Sequence, residues 1–165
     1  MNIRQAAKKD VRGIAKVHVD SWRTTYKGLI AQSMLDRLTY EKREELWRKN
    51  LGRKENILYV AEEDSGNIIG FADGSVRTEE NKIGDLTSIY LLQECQGLGV
   101  GKQLLERVFS GLKEQNCEFI YTEVLEGNKS STFYEACGGQ LEERKIIKLA
   151  GDELGLLIYK WDSLK

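Results

Sequence analysis

The feature that most restricts this chain is a glycine-rich turn joining a strand to a helix. Ile83 to Leu92 reads as a strand, with Leu86, Ile89, Tyr90, Leu91 and Leu92 apolar. Gln96-Gly97-Leu98-Gly99-Val100-Gly101-Lys102 follows. An amphipathic helix then runs to about Lys113, with Leu104, Leu105, Val108, Phe109 and Leu112 on one face. Glycines let a backbone approach a ligand closely. The first turn of a helix leaves N–H groups unpaired and carries partial positive charge. Together these features predict a phosphate-binding site, to which Lys102 adds a full charge.

The rest of the chain reads as a mixed α/β domain. Ile3 to Ala7 is a first strand. Asp10 to about Tyr26 is helical, with Val11, Ile14, Ala15, His18 and Trp22 at three- and four-residue steps and Asp10 as the N-cap. Lys27-Gly28-Leu29-Ile30 breaks it, and a second helix covers about Ser33 to Leu51. Ile57 to Glu62 and Ile68 to Val76 form a hairpin around Asp64-Ser65-Gly66-Asn67. Beyond the long helix, Phe119 to Leu125 is a short buried strand. Asn128 to Cys137 is a short helix ended by Gly138-Gly139. Leu141 to Leu149 and Leu154 to Trp161 close the chain as a hairpin. With no repeat, low-complexity stretch or linker, residues 1–165 are expected to form one domain.

Charge and cysteine usage narrow the function classes. The 25 basic and 26 acidic residues leave a net charge of -1, so nothing pulls the chain toward nucleic acid or an anionic membrane. No apolar run reaches the roughly 20 residues of a membrane span, and the N-terminus has no apolar signal region. Cys95, Cys117 and Cys137 are odd in number and widely spaced. They predict neither a disulfide framework nor a zinc site, and they fit a reducing cytoplasm.

Three nucleotide-type motifs compete for the glycine turn. A P-loop fails at both ends, because Gln96 stands at the first glycine position and Gln103 at the final Ser/Thr. A dinucleotide fingerprint fails at its third glycine, which is Lys102. The pattern Q/R-x-x-G-x-G/A is met by Gln96, Gly99 and Gly101. On it the chain resembles the GCN5-related N-acetyltransferase (GNAT) family. The strand Leu86 to Leu92, then Asn128 with Phe133-Tyr134-Glu135 and Gly138, extends the resemblance. Trp22, Tyr26, Gly28 and Leu29 carry it toward the N-terminus. Two departures stand out. Gln93-Glu94-Cys95 replaces a proline common before the turn, and Gly139 replaces a common Phe.

The resemblance implies a central, mostly antiparallel sheet of six to seven strands flanked by about four helices. It implies acetyl-coenzyme A as cosubstrate, with no metal. Gln96, Gly97, Leu98, Gly99, Val100, Gly101 and Lys102 would cradle its pyrophosphate. Ile89 and Leu91 would hydrogen-bond the pantetheine arm through their backbones, and the Leu91 N–H would polarise the thioester carbonyl. Asn128 either bonds that arm, caps the following helix, or does both. Tyr134 matches the family's acid for the departing thiol; without the resemblance it reads as a half-buried packing aromatic. Asp85 matches the position of a basic carboxylate in histone-acetylating members, and reads equally as a solvated residue at a strand start. Glu123 is a second carboxylate to watch, and ordered water is a third route for the proton. Trp22 and Tyr26 line the acceptor pocket or the core. His18, on an apolar helix face, is expected to be packed rather than catalytic.

The expected reaction is acetyl transfer to a primary amine of a small molecule such as a polyamine, amino acid or aminoglycoside. The alternatives are transfer to a protein N-terminus or lysine, and a non-catalytic module that senses acetyl-coenzyme A or binds a protein. A sensor has no need of Tyr134. By resemblance a homodimer is among the expected assemblies.

Overall fold

Helix and strand periods divide the described residues into seven strands and five helices. The computed structural model describes residues 1–78, 80 and 82–163. Their order is β1 (Asn2–Gln5), α1 (Val11–Thr25), α2 (Gln32–Asp36), α3 (Tyr40–Leu51), β2 (Asn56–Glu62), β3 (Ile68–Thr78), β4 (Ile83–Leu91), α4 (Val100–Glu114), β5 (Phe119–Leu125), α5 (Ser130–Ala136), β6 (Gln140–Leu149) and β7 (Asp152–Asp162). The strands form one sheet in the order β1-β2-β3-β4-β5-β7-β6. Every neighbouring pair is antiparallel except β4 and β5. That parallel pair is the one that α4 connects, as a crossover requires. None of these helices is long and apolar enough to cross a membrane.

Two expectations are corrected. The stretch from Ser33 to Leu51 is two helices, because Thr39 is extended and its hydroxyl accepts from the Lys42 amide at 3.3 Å, starting α3 afresh. With that split, five helices flank the sheet among the described residues, in line with the expected number of about four. Asp10 does stand at the N-cap of α1, but its side chain makes no cap bond. It takes both Arg4 Nη atoms at 2.8 Å and the Ala7 amide at 2.7 Å. The Arg4 guanidinium holds its carboxyl below the usual range, so β1 is tied to the start of α1.

Strand alternation sorts side chains to two faces. On one face Ala72, Leu86, Ile120 and Val124 meet Leu104, Leu105, Val108 and Leu112 of α4. On the other, Leu58, Val60 and Phe71 meet Val11, Ile14 and Val17 of α1 and Trp47 of α3. Gly139 is explained by the first core. A Cβ there would stand 2.7 Å from Trp161 Cζ2 and 2.9 Å from the Tyr134 carbonyl. Trp161 thus fills the space that a bulky residue after Gly138 would take, and its Nε1 donates to the Cys137 carbonyl at 3.0 Å.

His18 lies in the second core, as expected of a packed residue. Trp47 Nε1 donates to its Nδ1 at 3.0 Å, and its ring stacks on Tyr90. Burial pushes its titration down to about 3. The unfolded chain takes up this proton near pH 6.5 and the folded chain does not, so acid favours unfolding by about 1.4 kcal/mol per pH unit across that window. His18→Gln keeps an acceptor for Trp47. Urea unfolding at pH 7 and pH 4 should show wild type losing about 3 kcal/mol more than the variant; equal losses would place the acid sensitivity elsewhere.

Candidate active site

The site begins where β4 leaves β5. The parallel ladder has three residue pairs, Ile83–Phe119, Gly84–Ile120 and Asp85–Tyr121. At the next residue Thr122 Oγ1 donates to the Leu86 carbonyl at 2.8 Å, in a buried setting. A side-chain hydroxyl thus satisfies a carbonyl that the ladder leaves behind. On the opposite edge of β4, Asp73 faces Ser88 and Gly74 faces Leu86. Thr87 is therefore the extra residue of a β-bulge, which bends β4 away from β5.

Beyond the bulge, β4 offers backbone groups to the gap. The Leu92 amide donates to the Ile69 carbonyl at 2.9 Å. An antiparallel edge alternates, so Tyr90 also faces β3 while Ile89 and Leu91 face outward. Gln96 Nε2 donates to the outward Leu91 carbonyl at 3.1 Å, which ties the glycine turn back to the strand.

The turn then enters α4 through glycines that hold a left-handed backbone. Gly97 has φ 78° and Gly99, the N-cap of α4, has φ 80°. An L side chain strains that conformation by roughly 1–2 kcal/mol. Gly99 supplies no side-chain cap, so the first amides of α4 remain available to an anion. Val100 is buried and anchors this turn in the core, whereas Leu98 points to solvent at 73% exposure. Lys102 is exposed, 3.9 Å from Glu106.

Strand edge, turn and α5 enclose a cleft of about 470 Å³. Ile89, Tyr90 and Leu91 line it from β4, and Gln96, Gly97, Gly99, Gly101 and Lys102 from the turn. Asn128, Lys129, Ser130, Phe133, Ala136 and Cys137 line the remaining wall. Of the residues expected at the turn, Leu98 and Val100 place their side chains elsewhere. Asn128 is buried and its Oδ1 accepts from the Ser130 amide at 2.9 Å, so it shapes the start of α5. Phe133, Ala136 and Cys137 were not singled out as site residues. Their three- and four-residue spacing is the signal that shows them on one helix face. The anion-ready amides, the outward strand edge and an apolar wall suit a long ligand with phosphate at one end and an amide-bearing arm. Among the described residues no group of three or more His, Cys, Asp or Glu gathers to hold a metal.

Tyr134 points the other way from α5, into the sheet. It is buried, and its ring lies 86° to that of Trp161 at 5.7 Å. Burial pushes its phenol well up, so it keeps its proton. Tyr26 Oη lies 3.4 Å from Tyr90 Oη. Trp22 packs on Tyr26 at 4.6 Å.

The carboxylates are arranged differently from the sequence expectation. Asp85 lies in the closed part of the β4–β5 pair. Arg77 Nε donates to its Oδ2 at 2.9 Å and Arg77 Nη2 to its Oδ1, and the guanidinium lies over Tyr121. Asp85 is not among the residues of the cleft. Glu123 is exposed on β5 and acts on the same guanidinium. Asp73 is the carboxyl that sequence reasoning missed. It is buried, accepts from Ser88 Oγ, and is pushed up to about 6 by burial.

Comparison with known proteins agrees with this geometry. The model of the acetyltransferase (GNAT) family matches residues 16–138. An uncharacterized N-acetyltransferase of Bacillus subtilis is 35% identical over 99% of this chain and 94% of its own. An aminoglycoside N(6')-acetyltransferase of Stenotrophomonas maltophilia is 26% identical over 87% of this chain and 89% of its own. The crystal structure of the PaiA N-acetyltransferase from Thermoplasma acidophilum in complex with coenzyme A superposes with a TM-score of 0.73, at 19% identity over 98% of both chains. The chain belongs to the GNAT family of acetyltransferases. It is an acyltransferase.

The Thr122–Leu86 bond is open to a direct test. Thr122→Val keeps the shape but leaves a buried carbonyl unpaired, which should cost about 1–3 kcal/mol in urea unfolding. Thr122→Ser keeps the hydroxyl and should recover most of that loss. A Val variant as stable as wild type would remove the bond from the account of the sheet opening.

Proposed function

We propose that this chain acetylates the primary amine of a small molecule, of the polyamine, amino acid or aminoglycoside kind, by direct attack on the thioester. The observation that carries the small acceptor is the third apolar cluster. Tyr26, Ile30, Leu35 and Leu38 of the α1–α2 region pack with Leu125 at the end of β5 and with Leu149 and Leu154 at the tip of the β6–β7 hairpin. That packing joins three segments beside Tyr26 and Tyr90, and the proposal takes it as the wall that bounds the approach of a small acceptor. The name of the Stenotrophomonas relative points the same way.

The residues divide the work as follows. The glycine turn and the first amides of α4 hold the pyrophosphate. The outward groups of Ile89 and Leu91 pair with the pantetheine arm like an added strand, and Asn128 orders the wall that faces it. The Leu91 N–H lies where it donates to the thioester oxygen as charge develops there. Tyr134 then meets the departing sulfur. A thiol has an ordinary pKa near ~8.5, and the buried phenol holds its proton more tightly than that. Tyr134 therefore acts chiefly by donating a hydrogen bond to the sulfur as the C–S bond breaks.

Release of free coenzyme A tests this reading, with spermidine, kanamycin, single amino acids and an alanine-ended peptide as acceptors. Release should depend on one of the small amines. Tyr134→Phe should lower kcat by roughly 10²-fold while acetyl-coenzyme A binding by calorimetry stays unchanged. Release with the peptide alone would replace the small acceptor by a protein one, and an undiminished Phe variant would remove Tyr134 from the chemistry.

A further inference from the structure

A carboxyl group inside a sheet calls for a physical reason. Asp73 is 5% exposed on β3, and no charged side chain of the described residues contributes to its titration. Its β2 partner is the apolar Leu58, and its β4 partner is Ser88. On the same face stand Phe71 and Tyr90, covered by His18 of α1 and Trp47 of α3. His18 is held neutral by burial. Farther along that face Arg77 and Asp85 are already paired with each other. The one side chain that hydrogen-bonds Asp73 is Ser88, whose Oγ donates to its Oδ1. Asparagine accepts the same bond without burying a charge, so the bulge alone does not explain a carboxylate.

Ser88 links this carboxyl to the reaction. It is the first residue after the bulged Thr87 and the one before Ile89, which lines the cleft. Its side chain is partly exposed and stands on the face opposite Ile89. β5 has already left β4 at this point. With its proton committed to Asp73, the partly exposed Ser88 Oγ keeps its lone pairs as acceptors, backed by a buried negative charge. That is a receptor for a cationic donor.

We propose that Ser88 Oγ receives the ammonium group of the acceptor and that Asp73, acting through Ser88, takes up its proton; this rests on the transferase reading above. The ammonium passes one proton to Ser88 Oγ as the Ser88 hydroxyl proton passes to Asp73 Oδ1. The cation becomes a neutral amine and the carboxylate a neutral acid, so charge and protons balance. A free alkylammonium holds its proton more tightly than this carboxyl, so the neutral pair is a minor species that forms as nitrogen attacks the thioester carbon. Ser88 touches the acceptor, and Asp73 positions and charges Ser88. The raised titration of Asp73, to about 6, keeps it ionised at neutral pH yet brings it nearer to the amine than an ordinary carboxyl.

Asp73→Asn and Ser88→Ala test the pair, with whichever amine of the acceptor panel supports turnover. In wild type, kcat/KM for the amine should fall as pH drops through about 6, where Asp73 gains a proton. Asp73→Asn should lower kcat/KM at pH 7.5 at least tenfold, abolish that limb, and leave acetyl-coenzyme A binding unchanged. Ser88→Ala should match it, and the double variant should lose no more than either alone. Wild-type turnover together with an Asn variant that keeps both rate and limb overturns the relay and leaves the transferase reading intact. Acetyl-coenzyme A binding without release for any amine overturns the transferase reading, and the relay with it.

Discussion

One hydrogen bond, from Thr122 Oγ1 to the Leu86 carbonyl, sets the geometry on which the rest depends. A sheet is normally closed by its backbone ladders, and an unpaired carbonyl inside it is costly. Here the side chain of the neighbouring strand settles that carbonyl, so β4 and β5 part without leaving it unsatisfied. The bulge at Thr87 supplies the bend. A single short side chain thus marks the edge of the closed sheet.

The opening has two unlike sides. Toward α4 and α5 it is lined by glycine backbone, strand edge and the apolar wall of Phe133, Ala136 and Cys137. Toward α1 it presents Ser88, Tyr90 and Tyr26, with Asp73 behind them. Burial raises Tyr134, Tyr90 and Asp73 alike. The effect differs with the group: the phenols keep their protons, whereas Asp73 stays ionised at neutral pH and titrates just below it. Desolvation alone therefore sorts donors from the acceptor on either side of one strand.

Local physics made the glycine turn and α4 readable, because dihedral freedom, helix start and apolar stripe all lie within twenty residues of sequence. The ends of the strands were equally plain where turn residues follow an apolar run. The break at Thr39 was missed because the stretch around it is rich in helix formers, and one cap outweighed them. Asp85 stood out only through the family resemblance. A resemblance in sequence does not reveal a bulge or an Arg77 that reaches across from β3. Asp73 was invisible for a related reason: a carboxylate in a strand looks solvated until its neighbours are known. Gly139, a departure in sequence, became ordinary once Trp161 was seen in the space beside it.

The brevity of the β4–β5 ladder has a mechanical meaning. Within the β4–β5 ladder only three residue pairs form, and one threonine hydroxyl follows them. Past that point the line between the two strands is a seam without ladder bonds among the described residues. A long ligand lying in the gap, bonded to β4 on one side and walled by α5 on the other, works as a splint across that seam. Occupancy and rigidity then rise together, so on the proposed reading a ligand that brings in the acetyl group would also stiffen the frame around it.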